Sequence, residues 1–213
     1  MEAIAKTKTN PVRKLYDWVL GWAEKPSAQY ALFILAFAES SFFPVPPDVL
    51  LIPLVLGFRQ KWFRLALITT IASALGGMFG YFIGHVLWWN GGPPNYSALA
   101  HFFFRTIPGF SEPVFRAMQV KYELYGFWIV FTAGFTPIPY KIFTISSGAF
   151  DLSLTTFTVA SVVSRAARFF LVAFLIYWFG EPIRTFIDKY FNWLALLFTI
   201  LLIGGFMIIK GMI

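Results

Sequence analysis

The stretch "FFPVPPDVLLIP" at residues 42–53 interrupts a long apolar run with four prolines and one aspartate. Three of these prolines form the predicted tip of a hairpin: Pro44, Pro46 and Pro47. A proline has no backbone N–H and opposes a continuous helix. The apolar arms on either side, near residues 30–43 and 47–58, are both shorter than the roughly 20 residues that a membrane crossing needs. We therefore predict a re-entrant helical hairpin over residues 28–58, which enters a membrane and returns to the same side.

The composition around this stretch excludes an ordinary soluble protein. The chain has 213 residues, of which 58% are hydrophobic and only 13% are charged. A soluble domain usually carries about 25% charged residues, and a domain of this size cannot bury so much apolar surface. The composition therefore predicts an all-α integral membrane protein.

The residue types limit the chemistry. The chain has no cysteine, which excludes disulfides and thiol chemistry. His85 and His101 lie too far apart for a metal-binding motif, so we predict no metal and no cofactor. The net charge of +7 is attributed to basic loops at a membrane surface rather than to nucleic-acid binding.

A second interrupted apolar stretch, residues 126–150, repeats the pattern of the first. Its segment "TPIPYKIFTI" (136–145) aligns with "FPVPPDVLLI" (43–52) at a constant offset. The alignment matches Pro44 with Pro137, Pro46 with Pro139, and Asp48 with Lys141. We predict a second re-entrant hairpin over residues 126–150, with Gly134, Pro137 and Pro139 at its tip.

A long apolar segment follows each predicted hairpin, at residues 64–89 and 153–180, and each is long enough to cross a membrane. Because one crossing separates the two hairpins, they open on opposite sides. This is an inverted-topology repeat, and transporters built this way bind their substrates near the midplane, where helices are interrupted. The alternative is that both breaks are packing kinks without a ligand.

The other segments complete the predicted topology. Residues 1–27 form an interfacial amphipathic segment or an ordinary linker, residues 90–125 an interfacial loop and helix, and residues 181–213 a C-terminal transmembrane helix. Ten basic residues fall on the side of the N-terminus and four on the other, which predicts a cytoplasmic N-terminus.

Three glycines on the span 64–89 recur at every fourth residue: Gly76, Gly80 and Gly84. This spacing puts them on one face of a helix, where small residues allow a second helix to approach closely. We predict helix packing at this face, and a binding role is the alternative.

Five charged residues fall inside the apolar segments: Glu39, Asp48, Lys141, Arg165 and Arg168. Each costs about 2.5–3.5 kcal/mol at the bilayer centre, so they must face one another or a wet cavity. Three cations and two carboxylates leave a charge of +1, which favours a bound anion such as phosphate. An ion-pair network without a ligand is the alternative.

The charge pattern assigns a role to each of these residues. Lys141, Arg165 and Arg168 are predicted to bind a lipid phosphate. Glu39 and Asp48 are predicted to respond to protons, because neutralising either would strengthen anion binding. Whether Asp48 and Lys141 pair directly or hold the ligand between them is left open.

Four motifs in order, "ESSFFPVPPDVLLIP", "GMFGYFIG", "FTPIPYKIFTISSG" and "SRAARFFLVA", resemble the DedA family, also called SNARE-associated or VTT-domain proteins. The resemblance covers about residues 25–180 and is greatest to the YqaA-like branch. It implies two opposed re-entrant hairpins in a bacterial inner membrane and traffic of undecaprenyl phosphate or a phospholipid between leaflets. It also maps the acidic pair of the family onto Glu39 and Asp48.

The chain departs from the family in the second hairpin. The common family pattern there is R-F-x-P-x-x-R, and Gly134 and Tyr140 occupy the two arginine positions. Lys141 follows one place later. We expect Arg165 and Arg168 to supply the missing charge.

The predicted function is a flippase that moves a lipid phosphate across the bilayer by alternating access. A passive phospholipid scramblase, a small-ion transporter or channel, and a membrane enzyme acting on lipid phosphates are the alternatives. No nucleophile with a nearby histidine supports an enzyme, so none is predicted. The expected partners are lipids with anionic phosphate headgroups, together with protons if transport is coupled. The sequence leaves the lipid, the direction and the oligomeric state open.

Overall fold

The computed structural model describes residues 27–136 and 138–180. Within these residues the chain folds into seven α-helices and has no β-strand beyond one isolated bridge. The all-α prediction is thus confirmed for this part of the chain. The predictions for the N-terminal segment, for Pro137 and for the C-terminal transmembrane helix lie outside the described residues.

The helices are α1 (Ala28–Ser41), α2 (Asp48–Gly57), α3 (Trp62–Trp88), α4 (Ala98–Thr106), α5 (Glu112–Phe135), α6 (Tyr140–Ala149) and α7 (Leu154–Phe179). One turn of 3-10 helix, Arg59–Lys61, joins α2 to α3. Two helical segments, Arg59–Trp88 and Leu154–Phe179, are long and apolar enough to cross a membrane.

The first break separates α1 from α2. Helix α1 closes with the amides of Phe42 and Phe43 both donating to the carbonyl of Ala38, at 2.8 and 2.7 Å. The following proline disfavours helical backbone at Phe43. Pro47 then precedes α2 as its N-cap residue, and Asp48 is the first helical residue. The break therefore spans residues 42–47.

The second break differs from the sequence prediction in its first arm. A boundary was expected between an interfacial segment ending at residue 125 and a hairpin beginning at 126, but α5 runs unbroken through it. One glycine in a helix costs only about 1 kcal/mol relative to alanine. Gly126 is also buried, and a side chain there would overlap that of Leu152. Gly134 likewise lies in the last turn of α5, and the break itself begins at Thr136.

Helices α3 and α7 form the centre of the fold. They run in opposite directions, because Trp62 at the start of α3 stacks on Tyr177 near the end of α7, while Ser73 contacts Arg165. Helices α1 and α6 pack along α3, and α5 and α2 pack along α7. The short helix α2, which follows the first break, therefore lies against α7, and the short helix α6, which follows the second break, lies against α3.

The glycine face of α3 lies beneath both interrupted segments. A side chain at Gly76 would overlap the backbone carbonyl of Phe37 on α1, and one at Gly84 would overlap the carbonyl of Ile145 on α6. Gly80 lies between them, with Thr144 against its Cα. This face lets α1 and α6 approach α3 at backbone distance.

The opposite face of α3 carries an exposed apolar stripe. Its members are spaced three or four residues apart, which keeps them on one side of the helix. They are Phe63, Leu67, Ile71, Leu75, Phe79, Phe82 and Val86. A contiguous apolar surface of this kind is rare in soluble monomers.

An aromatic cluster closes one end of the fold. Trp88 stacks on Phe115, and Trp89 stacks on Tyr96, with ring centroids 5.0 Å apart in both pairs. These contacts join the end of α3 to α5. Burial among the rings raises the pKa of Tyr96 above its ordinary value.

Candidate functional site

Arg165, near the middle of α7, is the most deeply buried charged residue among those described. Its side chain donates from Nε to Ser73 Oγ at 2.5 Å and from Nη2 to Glu39 Oε2 at 2.5 Å. A longer bond of 3.2 Å joins Nη2 to Ser40 Oγ. Because only 2% of Arg165 is exposed, the carboxylate of Glu39 is the charge that compensates it.

Aromatic rings cover the guanidinium of Arg165. The Cζ atom lies 4.6 Å from the ring centroid of Tyr140 and 4.7 Å from that of Phe169. Cation–π attraction and planar stacking both favour this arrangement, and both suit arginine better than lysine. We call these contacts of Arg165 the Arg165 junction, and they join α1, α3, α6 and α7.

Hydroxyl groups connect the two hairpins beside this junction. Ser40 Oγ and Ser73 Oγ lie 2.6 Å apart, and Ser41 Oγ donates to the carbonyl of Gly76 at 2.8 Å. The Thr144 hydroxyl on α6 lies 3.0 Å from the Ser40 carbonyl and 3.0 Å from the Lys141 carbonyl of its own helix, and it shares its proton between them. In a continuous helix the Ser40 carbonyl would accept from residue 44, which is a proline without an N–H. The second hairpin thus satisfies a backbone group that the first break leaves unpaired.

Arg168, one turn further along α7, joins the two breaks directly. It donates from Nη2 to Asp48 Oδ2 at 2.8 Å and from Nη1 to the carbonyl of Thr136 at 2.7 Å. Asp48 begins α2, where a carboxylate also interacts favourably with the helix dipole. The side chains of Arg168 and Asp48 are 17% and 18% exposed. We call these contacts the Arg168 bridge.

The Arg168 bridge is incompletely hydrogen-bonded. Asp48 Oδ1 and Arg168 Nε are buried and have no hydrogen-bond partner in the described part of the chain. A buried polar atom without a partner costs about 1–3 kcal/mol, so this side of the site has unused capacity for hydrogen bonds.

Lys141 occupies the first turn of α6 and is partly buried. It makes no salt bridge with any described residue, whereas Asp48 pairs with Arg168. The structure therefore does not pair Asp48 with Lys141. Among the five central charges, two arginines are matched by two carboxylates and Lys141 supplies the remaining +1.

The structure separates the residues that sequence reasoning grouped together. Lys141, Arg165 and Arg168 were predicted to bind one phosphate, but Arg165 is enclosed by its own junction. Gly134 was predicted to lie at the tip of the second hairpin. It is instead buried in the last turn of α5, where a side chain would overlap the hydroxyl of Ser164.

Sequence reasoning missed the neutral groups of the site. These are Ser40, Ser73 and Thr144, the ring of Tyr140, and the backbone carbonyl of Thr136. The available signal was the run of serines and threonines in otherwise apolar helices, where hydroxyls often hydrogen-bond between helices. The Thr136 carbonyl has no sequence signal at all.

Two further contacts between polar side chains lie away from this centre. His85 Nδ1 is 3.3 Å from Asp151 Oδ1, where the end of α3 meets the turn after α6. Arg116 and Glu112 form an exposed pair one turn apart on α5. Among the residues that the structure describes, no group of three His, Asp or Glu side chains could hold a metal ion.

Three proteins are similar to this chain over most of their length. A protein of Haemophilus influenzae named "Uncharacterized protein" is 33% identical over 200 residues, which cover 92% of this chain and 97% of that protein. The "Uncharacterized protein HI0703 homolog" of Histophilus somni is 31% identical over 205 residues, covering 92% and 97%. The "Uncharacterized protein MJ0201" of Methanocaldococcus jannaschii is 24% identical over 144 residues, or 68% of this chain and 81% of that protein.

These similarities place the chain in one family with the Haemophilus influenzae and Histophilus somni proteins. No protein-family profile matches the chain. No solved structure matches it either.

Proposed function

We propose that this chain, a member of the family of the Haemophilus influenzae and Histophilus somni proteins, is an integral membrane flippase for a lipid phosphate. The observation that carries the proposal is the Arg168 bridge. In it, charged and backbone groups from two interrupted helical segments meet beside two helices long enough to cross a membrane. Interrupted helices that meet at mid-depth are where transporters of this design bind substrates.

The exposed apolar stripe of α3 supports a location inside the bilayer. It lies on the side of α3 away from the glycine face, and lipid tails would cover it without further protein. The charged residues lie at the centre of the same bundle, where protein covers them. A charge in a bilayer requires this arrangement. With the basic loops, this supports a bacterial inner membrane protein with a cytoplasmic N-terminus.

The order and packing of the helices support an inverted repeat. In each half, a helix, a break and a ten-residue helix, α2 or α6, are followed by a long helix. Each short helix packs along the long helix of the other half, and those two long helices run in opposite directions. This packing of each short helix against the other half is expected when two similar halves insert with opposite orientations.

Membership of the DedA family forms part of the proposal. The two arginines of α7 reach the region where the family pattern has arginines on the second hairpin. Arg165 stacks on the ring of Tyr140, and Arg168 donates to the carbonyl of Thr136. Guanidinium groups are thus present at this break although positions 134 and 140 lack them.

Lys141 and Arg168 are the proposed contacts for the phosphate. Lys141 is the cation without a carboxylate partner among the described residues, and Arg168 has an unused buried N–H. Both types of side chain bind phosphate oxygens, lysine as a point charge and arginine through its planar fork. Arg165 holds the helices together around them.

A passive scramblase is the second candidate. Glu39 and Asp48 both pair with arginine, so the charge balance of these four groups requires no bound proton. A polar site of this kind would let headgroups pass in either direction without a proton gradient.

Reconstitution into liposomes separates these functions. Purified protein is inserted into vesicles that carry a labelled lipid phosphate in one leaflet, with and without a pH gradient. A flippase accumulates the label in one leaflet under the gradient, whereas a scramblase equalises both leaflets without it. Movement equal to that of protein-free vesicles would contradict both, and release of inorganic phosphate would indicate an enzyme.

The inverted repeat has its own test, because the chain contains no cysteine. Single cysteines at Gln60 and Asp151 mark the ends of the two hairpins, and one at Asn95 marks the loop after α3. We expect a membrane-impermeant thiol reagent to label position 60 from one side and positions 95 and 151 from the other. Labelling of 60 and 151 from the same side would overturn the repeat.

A further inference from the structure

The two arginines of α7 have similar partners but differ in how far their ion pairs are exposed. Each pairs with one carboxylate from the first hairpin, through Nη2. The Arg165 pair is almost fully covered, with side chains 3% and 12% exposed, and the Arg168 pair is more open at 17% and 18%. Only the second pair contains buried atoms without hydrogen-bond partners, namely Asp48 Oδ1 and Arg168 Nε.

We propose that Asp48 is a built-in competitor for the phosphate, and that the ligand opens the Arg168 bridge by displacing this carboxylate from Arg168. The inference rests on the proposed function and adds its regulation. The phosphate replaces one anion on Arg168 by another and also accepts from the Arg168 Nε–H, which has no partner among the described residues. The Arg165 junction stays closed, because the guanidinium is buried and packs against the rings of Tyr140 and Phe169.

The backbone contact of Arg168 gives this exchange a structural consequence. Arg168 holds the start of α2 through Asp48 and the end of α5 through the Thr136 carbonyl. When a phosphate binds the guanidinium of Arg168 in place of Asp48, Arg168 no longer connects the two breaks. The tie through Thr144 and the Ser40 carbonyl remains. Ligand binding therefore loosens the contact on one side of the site only.

Binding measurements on matched amide variants test the inference. We compare wild type, Asp48→Asn and Glu39→Gln in nanodiscs, using three probes: a lipid phosphate monoester, a zwitterionic phospholipid, and inorganic phosphate added to discs of neutral lipid. Removal of the competing charge in Asp48→Asn should tighten binding of the monoester by about tenfold, as expected for loss of one close charge–charge interaction. Glu39→Gln should not tighten binding, because its partner is enclosed.

The probes separate the source of the phosphate. Tighter binding of the lipid monoester alone identifies a lipid ligand, and equal tightening with inorganic phosphate identifies a free anion. Equal or weaker binding by Asp48→Asn, with wild type binding normally, overturns the competitor role and leaves the proposed function intact. An absence of phosphate binding by wild type overturns both.

Hydrogen exchange on the wild-type protein tests the same inference without a variant. Addition of the lipid phosphate should reduce amide protection around residues 48–50 and 134–136, at the two ends of the Arg168 bridge. Protection at residues 38–42, beside the Arg165 junction, should not change. Equal loosening at both places, or none at either, would contradict an exchange confined to Arg168.

Discussion

The two breaks have the same outline but contribute different chemistry. The first carries two carboxylates, Glu39 just before it and Asp48 just after it. The second contributes a backbone carbonyl at Thr136, an aromatic ring at Tyr140 and a cation at Lys141. The arginines that connect them belong to neither break, because both project from α7. A repeated backbone pattern therefore supports a site whose halves are complementary rather than identical.

This difference shows where the charge balance of the site is set. Each carboxylate of the first hairpin reaches across to a guanidinium of the second half. The second hairpin has no acidic residue at the equivalent place, since Lys141 aligns with Asp48. The two carboxylates of the central site therefore come from the first hairpin, and their arginine partners come from α7.

Disruption of the Arg165 junction should produce the largest loss of stability. Arg165→Lys keeps the charge but lacks the planar fork that donates to Ser73 and Glu39 together. We expect a loss of about 3 kcal/mol in unfolding free energy, because the lysine loses one charge-assisted hydrogen bond and leaves its buried partner unsatisfied. Denaturant titration in detergent measures it.

The control for this substitution is Arg116→Lys, at the exposed pair with Glu112 on α5. The midpoint of unfolding should stay where it is in wild type. If both lysine variants lose stability equally, the effect belongs to arginine in general and not to the enclosed junction.

A methyl group on the glycine face of α3 is the next test, because it disturbs the packing of α1 against α3. Gly76→Ala would push a methyl group into the backbone of Phe37 on α1, and overpacking of this kind costs about 1–3 kcal/mol. Gly77→Ala is the adjacent control, because a methyl group added there would lie 3.4 Å from its nearest neighbours, which is an ordinary contact distance. Thermal unfolding should distinguish the two variants, and equal melting temperatures would show that α1 moves aside.

The smallest of the three losses of stability is expected at the hydrogen bond between neutral groups of the two hairpins. Thr144→Val removes the hydroxyl that donates to the Ser40 carbonyl and should cost about 1 kcal/mol. Thr70→Val is the matched control, since its hydroxyl donates to Ala66 on its own helix. Hydrogen exchange near Ser40 should rise only in Thr144→Val. A rise in both variants would mean that the contact between hairpins is not the cause.

Sequence reasoning located the elements of the site better than their connections. The prolines near residues 44 and 139 predicted helix breaks, because a missing N–H acts locally and needs no partner. It misplaced the start of the second hairpin, because the continuation of α5 through Gly126 depends on packing against Leu152, which the local sequence does not show. The pairing of Asp48 with Arg168 rather than Lys141 depends on the side of α7 that faces the first break, and no local pattern contains that information.

By itself, the sequence determined the helical class, the two interruptions and the five central charges. Composition, proline and charge act through local chemistry that every fold of this chain must satisfy. Only the tertiary structure decided which arginine is enclosed and which remains open. Burial and partners are properties of packing, and here Tyr140, Phe169 and Ser73 come together from three helices around one guanidinium.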